Sequence, residues 1–337
     1  MSLILDARAE RFALARPFRI SRGVKTEALV VTASVSRDGL TGQTLTGWGE
    51  GVPYARYGES VESVLAQIEE ARGAIERGLD RAGLAALLPA GAARNALDCA
   101  LWDLEAKASG ISVADQLGIA TDRPVASALT VVIDTPEAMA AEAAKVAHAP
   151  LLKVKVDALD PEVQVRAVRA AAPEAALIVD PNESWDEALV RAMAPVLADC
   201  RVAVLEQPVP AEADDWLAGY CAPVPICADE SLHTLADLPR IAERYQAINV
   251  KLDKAGGLTE ALALVHAARA RNMGLMVGCM VSSSLSIVPA LHIAAVGKAG
   301  ADWVDLDGPV WLREDRHGGV RDEGGYLLPP QQGFWGS

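Results

Sequence analysis

Asp180, Glu206 and Asp229 each close a short apolar run: Leu177-Ile178-Val179, Val202–Leu205 and Ile226–Ala228. Each acid, taken alone, could cap the helix that follows it. Three converging carboxylates repel one another, and burying them bare is costly, so a divalent cation resolves the conflict. Oxygen ligands without histidine suit hard Mg²⁺, or Mn²⁺, better than zinc.

Lysines lie near these acids in the sequence pattern. In LLKVKVD, Lys153 and Lys155 share one strand face while Leu152, Val154 and Val156 share the other. A buried ammonium is expensive, so lysines inside an apolar strand point to chemistry. AINVKLDKAGG carries Lys251 and Lys254. The reading assigns the strand's mouth to Lys254, beside Ala255-Gly256-Gly257, and sets Lys251 aside. Lys155 and Lys254 would then face each other as two bases on opposite faces of one carbon, which epimerisation requires. Burial and neighbouring cations are expected to lower a lysine pKa toward neutrality. Removing a proton beside a carboxylate doubles the charge on that carboxylate. A metal assisted by Lys153 would stabilise the enediolate.

The elements that must position these residues are repetitive. From about Pro124, the runs SALTVVI, LLKVKV, ALIVD, VAVLEQ, PICAD, AINVKL, LMVGCM and DWVDLD alternate with helix-like stretches. The polar stations Thr130, Lys155, Asp180, Glu206, Asp229, Lys254, Ser282 and Asp305 follow one another at intervals of 23 to 28 residues. Eight βα units predict a parallel α/β barrel, whose strands all end on the face where such folds build sites. Before it, Arg11–Ile20, Ala28–Ser36 and Thr46–Gly51 read as strands, with Ser21–Glu27 as a polar loop. Ser60–Arg77 and Ala92–Ser109 read as helices, the second stopped by Gly110. The predicted domains are an α+β capping domain over 1–118, the (β/α) barrel over 119–310, and a C-terminal segment over 311–337 that packs back on the cap.

The formal net charge of −14 argues against nucleic acid or an anionic membrane as partner. Five scattered cysteines without a CxxC fit reduced thiols. Met1–Glu10 lacks the apolar run of a signal peptide, and no stretch of about 18 apolar residues predicts a membrane span. A cytoplasmic enzyme is expected, and a homo-oligomer stays open.

KVK at 153–155, DPNESW, LEQP, ADES and KLDKAGG resemble the enolase superfamily, in its muconate lactonising subgroup. PAGAARNALDCALWDLEAK at 89–107 is similar to the capping-domain helix of L-alanine-D/L-glutamate epimerases. The resemblance implies an enolase-type modified TIM barrel and a Mg²⁺-dependent two-base epimerase of dipeptides. Asp305 and Asp307 in VDLDGP would hold the dipeptide ammonium. Arg22, in PFRISRGVKTEA, would pair with the glutamate side-chain carboxylate, with Lys25 sharing or replacing it. Thr130 and Ser282 would contact substrate, Lys155 would act on the (R)-centre, and Lys254 on the (S)-centre. Recycling of cell-wall peptides is the implied setting. Pro181 follows Asp180 where relatives usually have alanine, which leaves the ligand little affected, and the CMVSSS strand end, a position that varies among relatives, bears on fine specificity.

Other reactions of this scaffold are cycloisomerisation, o-succinylbenzoate synthesis and racemisation of N-acylated amino acids. Their substrates carry no ammonium to occupy Asp305 and Asp307. A Schiff-base aldolase would not need three metal carboxylates. A binding-only relative would not need both opposing lysines.

Overall fold

Alternating apolar and polar residues in the first fifty positions build a three-stranded antiparallel sheet of β1 (Ile4–Ile20), β2 (Gly23–Asp38) and β3 (Thr44–Gly51). The computed structural model describes residues 3–39, 42–297 and 300–337. Met1 and Ser2, which open the expected first domain, lie outside the described residues. The segment Ser21–Glu27 is not the loop that its polarity suggested. Phe18 pairs with Lys25, Arg19 with Val24 and Ile20 with Gly23, leaving Ser21-Arg22 as a tight turn. The β1–β2 hairpin is therefore one long arm, with a register shift between Ala13 and Phe18.

Helices α1 (Val61–Glu76), α2 (Arg81–Leu87) and α3 (Ala92–Ser109) cover this sheet. A Ser60/Ser63 capping box starts α1, and Gly110, at φ 70°, ends α3. The sheet meets α3 backbone to backbone. A Cβ added at Gly47, Gly49 or Gly51 would stand 2.1 Å from the carbonyl oxygen of Ala100, Ala96 or Ala92 respectively. Two strand residues rise about 6.7 Å and four helix residues about 6 Å, so each glycine meets a helix carbonyl in step.

After α4 (Val113–Leu117) and β4 (Val125–Ala126), the chain alternates strand and helix. The order is β5 (Leu129–Val131), α5 (Pro136–Lys145), β6 (Leu151–Lys155), α6 (Pro161–Ala171), β7 (Ala176–Asp180), α7 (Glu187–Asp199) and β8 (Val202–Glu206). It continues with β9 (Ile226–Ala228), α8 (Leu238–Arg244), β10 (Ala247–Val250), α9 (Leu252–Ala255), α10 (Leu258–Arg269), β11 (Gly274–Gly278), α11 (Ser284–Ala295) and β12 (Trp303–Asp305). The link from β8 to β9 holds short 3₁₀ turns where a helix was expected. Strands β5 to β12 pair in sequence order, all parallel, and Ala128 N–H donates to Val304 O at 2.8 Å across the remaining gap.

Period two sorts the barrel side chains. Ala128, Leu151, Ile178, Val204, Cys227, Ala247 and Met276 form the buried inner layer, with Trp303 against it. Their neighbours Leu152, Leu177, Leu205 and Ile226 face outward into the helix-packed core. The C-terminal segment returns to the first domain. Arg313 N–H donates to Ala13 O at 2.8 Å, Trp335 Nε1 to Trp48 O at 2.9 Å and Gly336 N–H to Asp103 Oδ1 at 2.7 Å. Within it, β13 (Arg321–Asp322) and β14 (Tyr326–Leu328) form a small antiparallel sheet with β4. No helix among the described residues is long and apolar enough to cross a membrane.

Candidate active site

The inner-facing positions turn polar toward the strands' C-terminal ends. Leu151 is followed by Lys153 and Lys155, Ile178 by Asp180, Val204 by Glu206 and Cys227 by Asp229. Ala247 is followed by Asn249 and Lys251, and Trp303 by Asp305 and Asp307. All nine polar residues are buried. Lys153 Nζ lies 2.7 Å from Glu206 Oε2 and Asp305 Oδ2, and 3.1 Å from Asp180 Oδ2. Burial opposes its charge, but Asp305, Glu206 and Asp180 outweigh burial and hold its pKa well above the ordinary lysine value. Lys155 Nζ lies 2.5 Å from Asp180 Oδ2 and donates to Asn182 Oδ1 at 3.0 Å. Asn249 donates its amide to Glu206 Oε1 at 2.8 Å.

Two sequence assignments are corrected here. Lys251, not Lys254, reaches the cavity at the barrel mouth, where it shares the lining with Lys153 and Lys155. Strand β10 ends at Val250, but Lys251 keeps an extended backbone (φ −120°, ψ 131°), so it continues the inward series from Ala247 and Asn249. Lys254 is already on the helical turn α9. It is 1% exposed and turned behind Asp229, donating to Asp229 O and Oδ1 at 2.5 Å each and to Asn249 O at 3.2 Å. Ser282 also misses the cavity: it is fully buried, and its hydroxyl donates to Met280 O at 3.1 Å. Cys279, Met280 and Val281 line the wall in its place.

The expected fall in lysine pKa is reversed at Lys251. Burial lowers its pKa, but Asp229, 2.8 Å away, and Glu206 raise it to a net value above the ordinary lysine range. Carboxylates outweigh cations at this rim. The same crowding acts on Glu206, whose pKa is raised by burial and by Asp180.

Over the cavity hangs the tip of the β1–β2 hairpin. Arg22 lines it, but its donors are committed: Nη2 lies 2.7 Å from Glu230 Oε1 and 3.0 Å from Tyr54 OH. Arg22 Nη1 meets Asn182 O at 3.0 Å and Glu183 Oε2 at 3.2 Å. Lys25 lines the same space and packs over the Tyr54 ring at 4.9 Å, with no ion pair among the described residues. Burial, Arg22 and Lys251 together lower its pKa. Thr130 is at the wall, its N–H given to Asp307 Oδ2 at 2.9 Å, and Trp311 Nε1 donates to the same oxygen at 3.0 Å. Asp305 Oδ1 is buried without a hydrogen-bond partner among the described residues. Sequence reasoning missed Tyr54, Tyr57, Asn182 and Glu230, all of which line the cavity. The aromatic pair in PYARYGES stands just after a sheet strand and was the one available signal.

The donor set bears on a metal. Asp180, Glu206 and Asp229 end three consecutive strands and are 0–1% exposed. They are gathered by lysines rather than closed on one point: Asp180 and Glu206 share Lys153, whereas Asp229 is turned to Lys251 and Lys254. Among the described residues no three acidic side chains already enclose an ion. The chemistry fits nonetheless, since buried, all-oxygen donors with a crowded Glu206 suit a hard divalent cation.

Residues 5–118 match the family described as mandelate racemase / muconate lactonizing enzyme, N-terminal domain, and residues 138–334 match the enolase C-terminal domain-like family. The L-Ala-D/L-Glu epimerase of Escherichia coli (strain K12) is 48% identical over 308 residues, 91% of this chain and 93% of that one. The N-acetyl-D-glutamate racemase of Pseudoalteromonas sp is 42% identical over 292 residues, 86% and 91% of the two chains. An enolase family member from Agrobacterium tumefaciens, homologous to dipeptide epimerases and solved with sodium and L-Ala-L-Glu, is 46% identical. It superposes with a TM-score of 0.93 over 99% of this chain and 100% of that one. The dipeptide epimerase from Cytophaga hutchinsonii, complexed with Mg and D-Ala-L-Val, is 26% identical with a TM-score of 0.90, covering 99% and 98%.

Proposed function

The chain belongs to the enolase superfamily, in its mandelate racemase / muconate lactonizing enzyme group, and from that premise we propose that it is a dipeptide epimerase interconverting L-Ala-D-Glu and L-Ala-L-Glu. The observation that carries this reading is a pair of lysines. Lys155 on β6 and Lys251 at the end of β10 come from strands four apart in an eight-stranded barrel and line one cavity. One takes the α-proton of the C-terminal residue, and the other returns a proton to the opposite face. Lys153 donates to the substrate carboxylate as its charge grows.

The cavity's ends sort the two halves of the substrate. The ammonium of the first residue meets Asp305 and Asp307, and the unpartnered Asp305 Oδ1 supports this. Lys25 is the uncommitted cation and pairs with the glutamate side-chain carboxylate, whereas Arg22 latches the hairpin to the barrel rim through Glu230 and Glu183. This gives Lys25 the role that the sequence resemblance implied for Arg22, with Lys25 sharing or replacing it. Asp180, Glu206 and Asp229 would hold Mg²⁺, or Mn²⁺ of like oxygen preference, which would supply Lewis-acid stabilisation of charge growing on the substrate carboxylate and would offset the carboxylate charge that keeps the lysine pKa values up. Peptides of cell-wall turnover, handled in the cytoplasm, are the proposed physiological setting.

The 42% identity to an N-acetyl-D-glutamate racemase favours a second reading, in which an acylated amino acid is the substrate. An acyl amide has no positive charge for Asp305 and Asp307, so the dipeptide is preferred. Incubation with Mg²⁺ in D₂O is expected to bring deuterium to the glutamate α-carbon of L-Ala-L-Glu and L-Ala-D-Glu. Faster exchange into N-acetylglutamate would transfer the assignment to the second reading, and exchange into neither would remove both.

A further inference from the structure

From the end of β10 into the first turn of α10 the chain passes through residues 251–259, and one face of α3 grips it. Arg94 donates to Ala255 O through Nη2 at 2.6 Å and to Gly256 O through Nε at 3.1 Å. The Asn95 amide donates to Asp253 Oδ1 at 2.8 Å and to Glu50 O at 3.1 Å. The same Asp253 oxygen accepts Val52 N–H at 2.8 Å, from just beyond β3. Asp98 accepts Thr259 N–H at 2.9 Å and the Thr259 hydroxyl at 2.6 Å. These side chains share one helix face, as residues three and four apart do.

The gripped loop has no slack. Gly256 and Gly257 hold left-handed backbones at φ 77° and 117°. A Cβ at either would stand 2.4 Å from Arg94 Nε or Asp98 Oδ2. Lys251 is the first residue of this loop, and its ammonium lies 2.8 Å from Asp229 Oδ2. Lys155 has a different support. Its ammonium is held by Asp180 and Asn182, and among the described residues the cap's hydrogen bonds to Asn182 come from Ser21 and Arg22 at the hairpin tip.

We propose that the α3 face carrying Arg94, Asn95 and Asp98 is a positioning clamp for Lys251, and that it governs proton transfer on one face of the reacting carbon and not on the other. The catalytic half rests on the reading of Lys251 as one of the two bases. The mechanical half does not.

Two measurements on the whole 337-residue chain test it. In amide hydrogen exchange, Asn95→Ala is expected to speed exchange across residues 251–259 by about tenfold or more, while Leu151–Lys155 changes less than about twofold. Unchanged amides, or equal changes in both segments, overturn the clamp whether or not the protein is an epimerase. In D₂O with Mg²⁺, the same variant is expected to lose about tenfold or more of its α-proton exchange from the epimer that Lys251→Ala silences, and less than about twofold from the other. Equal loss from both epimers, or none from either, overturns the proposal. Wild-type protein that exchanges neither epimer overturns the epimerase reading instead, and the amide result then decides the clamp. Asp98→Ala is read in the same way if Asn95→Ala unfolds under assay conditions. Asp253→Asn keeps the acceptor oxygen and is expected to match wild type in both measurements; a loss as large as that of Asn95→Ala counts against this contact as the tie.

Discussion

Two lysine pairs, Lys153/Lys155 and Lys251/Lys254, look alike in sequence and differ in space. The first pair is two residues apart on a continuous strand, so both ammonium groups enter the barrel mouth. The second is three residues apart across a change from extended backbone to a helical turn. There the strand rule covers only Lys251, and Lys254 is carried behind Asp229 as a buried brace. Spacing therefore reports direction only while the backbone keeps one period.

Breaking each pair in turn tests that contrast. The largest effect is expected at the bases: Lys155→Ala and Lys251→Ala should each lower epimerisation by about a thousandfold. Each should keep deuterium exchange from one epimer, and the two variants should keep opposite epimers. If Lys251→Ala epimerises normally while Lys254→Ala does not, the assignment of Lys251 is wrong. Lys254→Met should act through the fold. Removing Lys254 leaves Asp229 Oδ1 and two carbonyls without this donor while Asp229 Oδ2 keeps Lys251, a loss of about 3 kcal/mol in denaturant unfolding. Its exchange from the two epimers should fall in parallel, and a one-sided loss would make it a base after all.

The cations at the hairpin tip sharpen the comparison at smaller scale. Lys25→Ala should raise KM for L-Ala-L-Glu by about tenfold and leave an apolar dipeptide unchanged, whereas Arg22→Ala should slow both substrates alike. The reverse pattern would restore Arg22 as the carboxylate anchor. The smallest effect is a pH dependence. Burial raises the Asp98 pKa to about 6 despite its bonds to Thr259. The folded state thus keeps a proton that the unfolded chain has lost, so this group's contribution favours folding below pH 3.8 and weakens as pH rises toward 6. Asp98→Asn should flatten that decline in Tm, and an unchanged slope would assign it to another group.

Most of the barrel was legible because buried parallel strands leave apolar runs, and each run ends on a polar station. Asp180, Glu206 and Asp229 follow from that rule alone. Lys251 was legible too: counting by twos from Ala247 through Asn249 reaches it, whereas the glycines after Lys254 drew attention to the wrong residue. Ser282 failed for a related reason, since β11 ends at Gly278 and strand parity does not survive the turn into α11. Arg22 and Lys25 both line the cavity, but the ion pairs that commit Arg22 depend on Glu230 and Glu183, which come from two other strand ends. No local pattern could bring those together.

The glycines of β3 have a consequence beyond the cap's own packing. With the carbonyls of Ala92, Ala96 and Ala100 at the distance of a missing side chain, α3 has nowhere to shift when neighbouring residues mutate. The hairpin arm, by contrast, ends in a tip set apart by its own register break. One small domain thus joins a helix fixed to its sheet by backbone contact with an arm whose tip meets the barrel through the Ser21 and Arg22 side chains, so that a change at the tip leaves the seat of α3 as it was.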